Sequence, residues 1–172
     1  MIEGIIFDYG GTIDSRGDHW SEVIFDQYKA LDLPVSYEQF RTAYIEGERA
    51  LARRRIILPM HNFCDVMLHK MIVQIVCLKA QGALKGYDTD VIATTIAARC
   101  YEEAGEAVAE ARVVLEYLAE RMPLALVSNF YGNIDEVLRD FGIRHLFCGI
   151  AESAVLGIRK PDPRIFSIGC TI

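Results

Sequence analysis

The sequence has few of the features that mark a secreted or membrane-spanning protein. Its five cysteines are odd in number and widely spaced, so we expect no disulfide framework. Reduced thiols suit the cytoplasm, which is the predicted location. The N-terminus enters an apolar run with no basic segment before it, so no signal peptide is expected. The most apolar stretch, residues 60–80, contains charged side chains and is too interrupted to cross a bilayer.

The chain also has no excess of positive charge. Its formal net charge is −6, and no block of five or more like charges occurs. This balance argues against nucleic acid or an anionic membrane as the main partner. The exception is the cluster Arg53-Arg54-Arg55, which we interpret as a solvated helix face. Otherwise the composition, 52% hydrophobic and 24% charged, is that of one globular domain or one domain with an insertion.

Three short apolar runs predict the strands of a parallel sheet. Gly4–Phe7, Leu124–Val127 and Phe147–Ala151 lack the alternation of a half-exposed strand, as is typical when both faces are covered. The first two runs are separated by a long stretch, about Asp18–Ala104, in which every pattern is helical. The predicted fold class is therefore α/β, with an incomplete Rossmann-like parallel sheet of about three strands and an inserted helical domain.

Local signals give the limits of several helices. Capping boxes at residues 36–39 and 133–136 predict that helices begin there. Gly105 is expected to separate a helix at Asp88–Ala104 from another at Ala109–Arg121. The break at Gly105 is the predicted boundary between the helical insertion and the rest of the chain.

Polar side chains follow each predicted strand. Asp8 ends the first, Ser128 ends the second, and Lys160 lies in the turn after the third. Ligands of such sheets bind beyond the carboxyl ends of the strands, so these groups are expected to converge. The carboxylate could attack phosphorus, while the hydroxyl and ammonium offset the charge of a phosphoryl group. Two anions that approach each other usually need a cation, and Mg²⁺ suits oxygen ligands of this kind.

The surrounding motifs resemble those of the haloacid-dehalogenase superfamily. Residues 7–14 (FDYGGTID) are similar to its first motif, residues 127–129 (VSN) to its second, and residues 160–163 (KPDP) to its third. The helical insertion is similar to the all-helical cap of the family. The resemblance implies two parts, a core of residues 1–15 and 105–172 and a cap of residues 16–104.

The resemblance also implies the role of each site residue. Asp8 would be the nucleophile and a Mg²⁺ ligand, and the backbone carbonyl of Gly10 would be a second ligand. Ser128 and Lys160 would act with Asp8 in catalysis. The groups that bind the phosphoryl moiety would come from Gly11, Thr12, Ser128, Asn129 and Lys160.

Two departures from the family pattern stand out. Gly10 occupies the position at which phosphatases of this family have a second Asp, the general acid, whose contribution is roughly 10² to 10⁴ in rate. Asp14 and Tyr9 are near in sequence, but nothing places either on the leaving group. The family's acidic fourth motif has no counterpart after Lys160, so Ile5–Phe7 would lie at an open, apolar edge. We expect either a truncated chain or one whose edge is covered by a partner.

The leading hypothesis is a Mg²⁺-dependent phosphatase that acts on a small phosphorylated molecule, with activity weakened by these departures. A dehalogenase-like or phosphonate-cleaving hydrolase is an alternative, because such branches also lack the second Asp. A phosphate-binding or interaction protein without turnover is the non-enzymatic alternative. A homo-oligomer could form through the exposed sheet edge or through the apolar helix predicted around residues 67–78.

Overall fold

A computed structural model describes residues 2–172 of the chain; Met1, the first residue of the predicted core, lies outside the described residues. The sheet has three parallel strands in the order β1-β2-β3, namely β1 (Ile5–Phe7), β2 (Leu124–Ser128) and β3 (Gly149–Glu152). The α/β class and the positions of all three predicted strands are confirmed.

The strand register brings the candidate residues to one edge. Phe7 pairs with Leu126, and Ser128 pairs with Glu152. Asp8, the next residue after β1, therefore lies at the carboxyl end of the sheet, as Ser128 does. Every residue of the central strand β2 is buried, whereas those of the outer strand β1 are half-buried. This agrees with the open edge predicted at Ile5–Phe7, because β1 has a neighbouring strand on one side only within residues 2–172.

Four helices lie between β1 and β2: α1 (Trp20–Ala30), α2 (Tyr37–Arg53), α3 (Phe63–Ala80) and α4 (Thr89–Ala119). Helix α3 packs between α2 and α4, and this packing buries the apolar side chains Phe63, Val66, Met67, Met71, Ile75 and Leu78. These side chains form the interior of the helical bundle and not a surface for association. Within residues 2–172, no helix is long and apolar enough to cross a membrane.

The second half of the chain completes both faces of the sheet with short helices. Helix α5 (Ile134–Asp140) and a 3₁₀ turn (Arg144–Leu146) precede β3, and α6 (Ser153–Leu156) and α7 (Pro163–Gly169) follow it. The turn before α7 was expected at its observed place, whereas the 3₁₀ turn and α6 are too short to produce a sequence pattern.

The predicted break at Gly105 is wrong. Helix α4 is continuous from Thr89 to Ala119, although glycine inside a helix costs about 1 kcal/mol relative to alanine. Burial of Ala104, Ala107 and Val108 in the core offsets this cost. The predicted boundary between residues 104 and 105 therefore falls inside one helix.

One of the two predicted capping boxes is confirmed. The side chain of Ser36 accepts a hydrogen bond from the Gln39 backbone, and Gln39 returns one. Asn133 also precedes a helix, but its side chain makes no capping hydrogen bond. Its Nδ2 instead donates to the carbonyl of His61, 2.8 Å away, so this residue joins the loop before α3 to the loop after β2.

Candidate active site

An ion pair lies beyond the carboxyl end of β1. Lys160 Nζ is 2.5 Å from Asp8 Oδ2, and the backbone N–H of Tyr9 donates to Asp8 Oδ1 at 2.8 Å. The side chain of Asp8 is 40% exposed and that of Lys160 is 19% exposed. The carboxylate is thus fixed by two donors and is still open to a ligand.

Asn129 positions the segment that contains Lys160. Its Oδ1 accepts from the backbone N–H of Lys160 at 2.8 Å, and its Nδ2 donates to the Lys160 carbonyl at 3.2 Å. Two hydrogen bonds to one residue fix the turn before α7 against the end of β2. The sequence predicts Asn129 as a phosphate-binding residue, and in the structure its side chain fixes the backbone from which the Lys160 ammonium extends.

The remaining predicted phosphate-binding groups, those of Ser128, Gly11 and Thr12, differ in their burial and in their hydrogen-bond partners. Ser128 is buried at the end of β2 and makes no hydrogen bond to Asp8 or Lys160 within residues 2–172. The N–H of Gly11, with φ at +78°, donates to Asp14 Oδ1 at 2.8 Å. The N–H of Thr12 donates to the Tyr9 carbonyl. The backbone donors of Gly11 and Thr12 thus have partners within the loop, and the role of these two residues in phosphate binding stays a prediction.

Gly10 has the space and the free carbonyl that its predicted role needs. Its backbone oxygen accepts no hydrogen bond in the described part of the chain, and a Cβ added here would meet nothing within 4 Å. A carboxylate and a carbonyl are hard oxygen donors, and Mg²⁺ commonly binds few protein ligands and completes its shell with water and substrate phosphate. Residues 2–172 contain no group of three acidic, His or Cys side chains that could hold a metal. Asp8 and the Gly10 carbonyl are thus two oxygen donors of the kind that Mg²⁺ accepts.

A cavity of about 220 Å³ lies between this loop and the helical bundle. Gly10, Gly11 and Asp14 line one wall, and the other wall comes from α1, α2 and α3. Asp14 is buried, and its Oδ2 accepts from Trp20 Nε1 at 2.8 Å. Burial raises the pKa of Asp14 from 3.8 to about 6, although the hydrogen bonds from Trp20 and Gly11 favour the charged form.

The raised pKa of Asp14 predicts a stability difference that depends on pH. The folded state binds the proton more tightly than the unfolded state, so this stabilisation is fully present below pH 4 and is lost as pH rises through about 6. Asp14→Asn removes the titration. The free energy of unfolding of the wild type relative to Asp14→Asn should therefore fall by roughly 2 to 3 kcal/mol between pH 4 and pH 7. Urea unfolding at both pH values measures this, and a constant difference would contradict it.

A buried charge cluster forms the far wall of the cavity. Lys70 Nζ lies 2.8 Å from Glu48 Oε1, and Tyr131 Oη donates to Glu48 Oε2 at 2.9 Å. The rings of Tyr44 and Tyr131 flank the ammonium. Burial alone would lower the pKa of Lys70, but electrostatic interactions with Tyr131, Glu48 and Tyr44 more than offset it, so the pKa is raised. Because α2 and α3 supply two members and the loop after β2 supplies Tyr131, this cluster joins the helical insertion to the sheet.

The sequence contains one signal for this cluster. Lys70 interrupts the apolar face of α3, and a lone charge on a buried face needs a partner. Tyr9, by contrast, is no candidate for proton transfer. Its fully buried ring packs against Phe63 and Phe130, its hydroxyl has no partner in the described chain, and burial raises its pKa well above the usual value.

Comparisons with known proteins agree with this architecture. The model of the haloacid dehalogenase-like hydrolase family matches residues 2–171. The chain is also similar to haloacid dehalogenase-like hydrolase domain-containing protein 3 of Mus musculus. The two are 42% identical over 45 residues, which are 26% of this chain and 18% of that relative. The chain therefore belongs to the haloacid dehalogenase-like hydrolases.

Two solved structures share the fold. One is the putative HAD-hydrolase YfnB from Bacillus subtilis, bound to magnesium, with a TM-score of 0.52, 18% identity, and coverage of 96% of this chain and 69% of that one. The other is described as a dehalogenase, with a TM-score of 0.56, 17% identity, and coverage of 99% and 70%.

Proposed function

We propose that the protein is a phosphatase that cleaves a small phosphate ester through an aspartyl-phosphate on Asp8. The observation that supports this most directly is the ion pair between the exposed Asp8 carboxylate and Lys160 at the carboxyl edge of the sheet. In the proposed reaction an oxygen of Asp8 attacks phosphorus and the bond to the alkoxide breaks. Water then attacks phosphorus, releases phosphate and regenerates the carboxylate, so that one displacement becomes two easier ones.

The other residues would stabilise charge during these steps. Lys160, fixed by Asn129, would offset the negative charge that Asp8 and the phosphoryl oxygens share. Ser128 would donate to a phosphoryl oxygen from the end of β2. Mg²⁺ bound by Asp8 and the Gly10 carbonyl would supply further charge neutralisation. We propose the division of the chain into two parts that the sequence predicts, with residues 16–104 as a cap over the core formed by residues 1–15 and 105–172.

Residue 10 provides no proton donor for the leaving group of a phosphatase reaction. An alkoxide leaving group needs a proton, and Gly10 has no side chain to provide one. A halide leaves without protonation, so Gly10 favours a dehalogenase-like reaction as the second candidate. The two candidates share Asp8 as nucleophile and differ in whether a new acid at residue 10 would help.

Gly10→Asp tests this difference. The backbone at Gly10 has no left-handed φ and the added Cβ has open space, so a side chain can begin here without backbone strain. We expect phosphatase turnover of sugar phosphates, whose alkoxide leaving groups need a proton, to rise by about 10- to 100-fold with Mg²⁺. Gly10→Asn is the matched control, because it adds the same volume without a titratable group and should give no gain.

Turnover of chloroacetate by the same three proteins gives the contrasting result. Chloride release that exceeds phosphate release in the wild type, with no gain in Gly10→Asp, would overturn the phosphatase proposal in favour of the dehalogenase. Phosphatase activity that EDTA leaves unchanged would overturn the assignment of Mg²⁺ to Asp8 and Gly10.

A further inference from the structure

A second, larger concavity lies beside the site. This groove, of about 1050 Å³, is formed by the end of α2, the loop after it, the loop after β2 and residues 153–159. It shares Glu48, Asn129, Phe130 and Tyr131 with the smaller cavity. Arg159 in its wall directly precedes Lys160, and Asn129, which also lines the groove, bonds the Lys160 backbone.

The groove is strongly basic although the chain as a whole is acidic. Five arginines line it: Arg49, Arg53, Arg54, Arg55 and Arg159. Its single acidic side chain, Glu48, is already paired with Lys70. Arg49 pairs with Glu46, whereas the other four arginines make no ion pair in the described part of the chain.

The structure gives the Arg53–Arg55 cluster a different setting from the one the sequence predicted. Helix α2 ends at Arg53, and Arg54 has an extended backbone, so the three guanidinium groups do not share a solvated helix face. They line one concavity together with Arg159, which comes from a distant part of the chain. Like charges around one groove repel, and an anion between them removes that repulsion. Planar guanidinium groups match phosphate oxygens in pairs.

We infer that the groove binds a second phosphate group of the substrate, so that the natural substrate is a small organic molecule with at least two phosphates. This inference rests on the proposed function, because one phosphate reacts at Asp8 while the other lies among the arginines. The smaller cavity has no such excess of positive charge, because its lysine, Lys70, is neutralised by Glu48. The anionic end of the leaving group is therefore expected in the groove, and its neutral part near Phe130 and Tyr131.

Calorimetric binding to Asp8→Asn tests the inference without turnover. The probes are fructose 1,6-bisphosphate and fructose 6-phosphate, which differ by one phosphate. We expect the bisphosphate to bind about tenfold or more tightly, and Arg53→Gln with Arg159→Gln to weaken its binding by about 10- to 100-fold. Arg41→Gln with Lys85→Gln is the matched control. It removes two positive charges at exposed positions outside the groove and should change either affinity less than about twofold.

The outcomes separate this inference from the proposed function. Equal affinity for the two probes, or an equal loss for both in the groove variant, would overturn the inference. Turnover that survives Asp8→Asn would overturn the proposed function, and the difference between the two probes would still show whether the groove binds the second phosphate. Thermal unfolding of each variant confirms that the exposed arginine substitutions leave the fold intact.

Discussion

Asp8→Asn is expected to lower the turnover of phosphate esters by at least about 10³-fold. Asparagine has nearly the same shape, but its amide is a poor nucleophile and cannot form the acyl-phosphate. The measurement is steady-state release of phosphate with Mg²⁺ at saturating substrate. Stability should change by less than about 1 kcal/mol, because the pair with Lys160 is partly exposed.

Asp18→Asn is the control for this substitution. Asp18 is exposed in the same loop region, and its carboxylate makes no ion pair within residues 2–172, so activity should stay within about twofold. If Asp8→Asn and Asp18→Asn keep the same activity, the nucleophile has been assigned to the wrong residue.

Lys70→Met is expected to have the largest effect on stability. It leaves the carboxylate of Glu48 without its cation, and because this carboxylate is 35% exposed, water screens part of the charge, so the cost should be about 2 to 3 kcal/mol, less than for a fully buried pair. Methionine retains the length and apolar stem of the side chain, so little of the loss comes from packing. Chemical denaturation at pH 7 measures the free energy of unfolding.

The double variant Lys70→Met/Glu48→Gln separates charge from packing. Glutamine removes the unpaired charge and can still accept the hydrogen bond from Tyr131, so most of the lost stability should return. A double variant that is less stable than Lys70→Met would show that the loss has another origin than the uncompensated carboxylate.

The fold was largely predictable because its signals are local. Three unbroken apolar runs, of which Leu124–Val127 is the clearest, specify strands that must be covered. The continuity of α4 was not predictable, since the preference of Gly105 against helix is local whereas the burial that overrides it is not. The same holds at Asn133, where a distant carbonyl competes successfully with the helix cap.

In the candidate site, too, some contacts are predictable from the sequence and others depend on tertiary packing. The sequence predicts that Asp8 and Lys160 meet, because topology alone brings the ends of parallel strands to one edge. It does not predict that Asp14 uses the N–H of Gly11, or that Glu48 lies against Lys70, because side-chain direction and the packing of α2 on α3 decide those contacts. The arginine groove depends on where α2 ends relative to Arg159 and is likewise invisible in the sequence.

The short segment after β2 has a mechanical consequence. Asn129 bonds the backbone of Lys160, and two residues later Tyr131 bonds Glu48 of α2. Any swing of the helical bundle away from the sheet must either rupture the tyrosine contact or pull on the backbone that fixes the ammonium. A displacement of α2 from the sheet would thus be transmitted to the counter-ion of the nucleophile through residues 129–131.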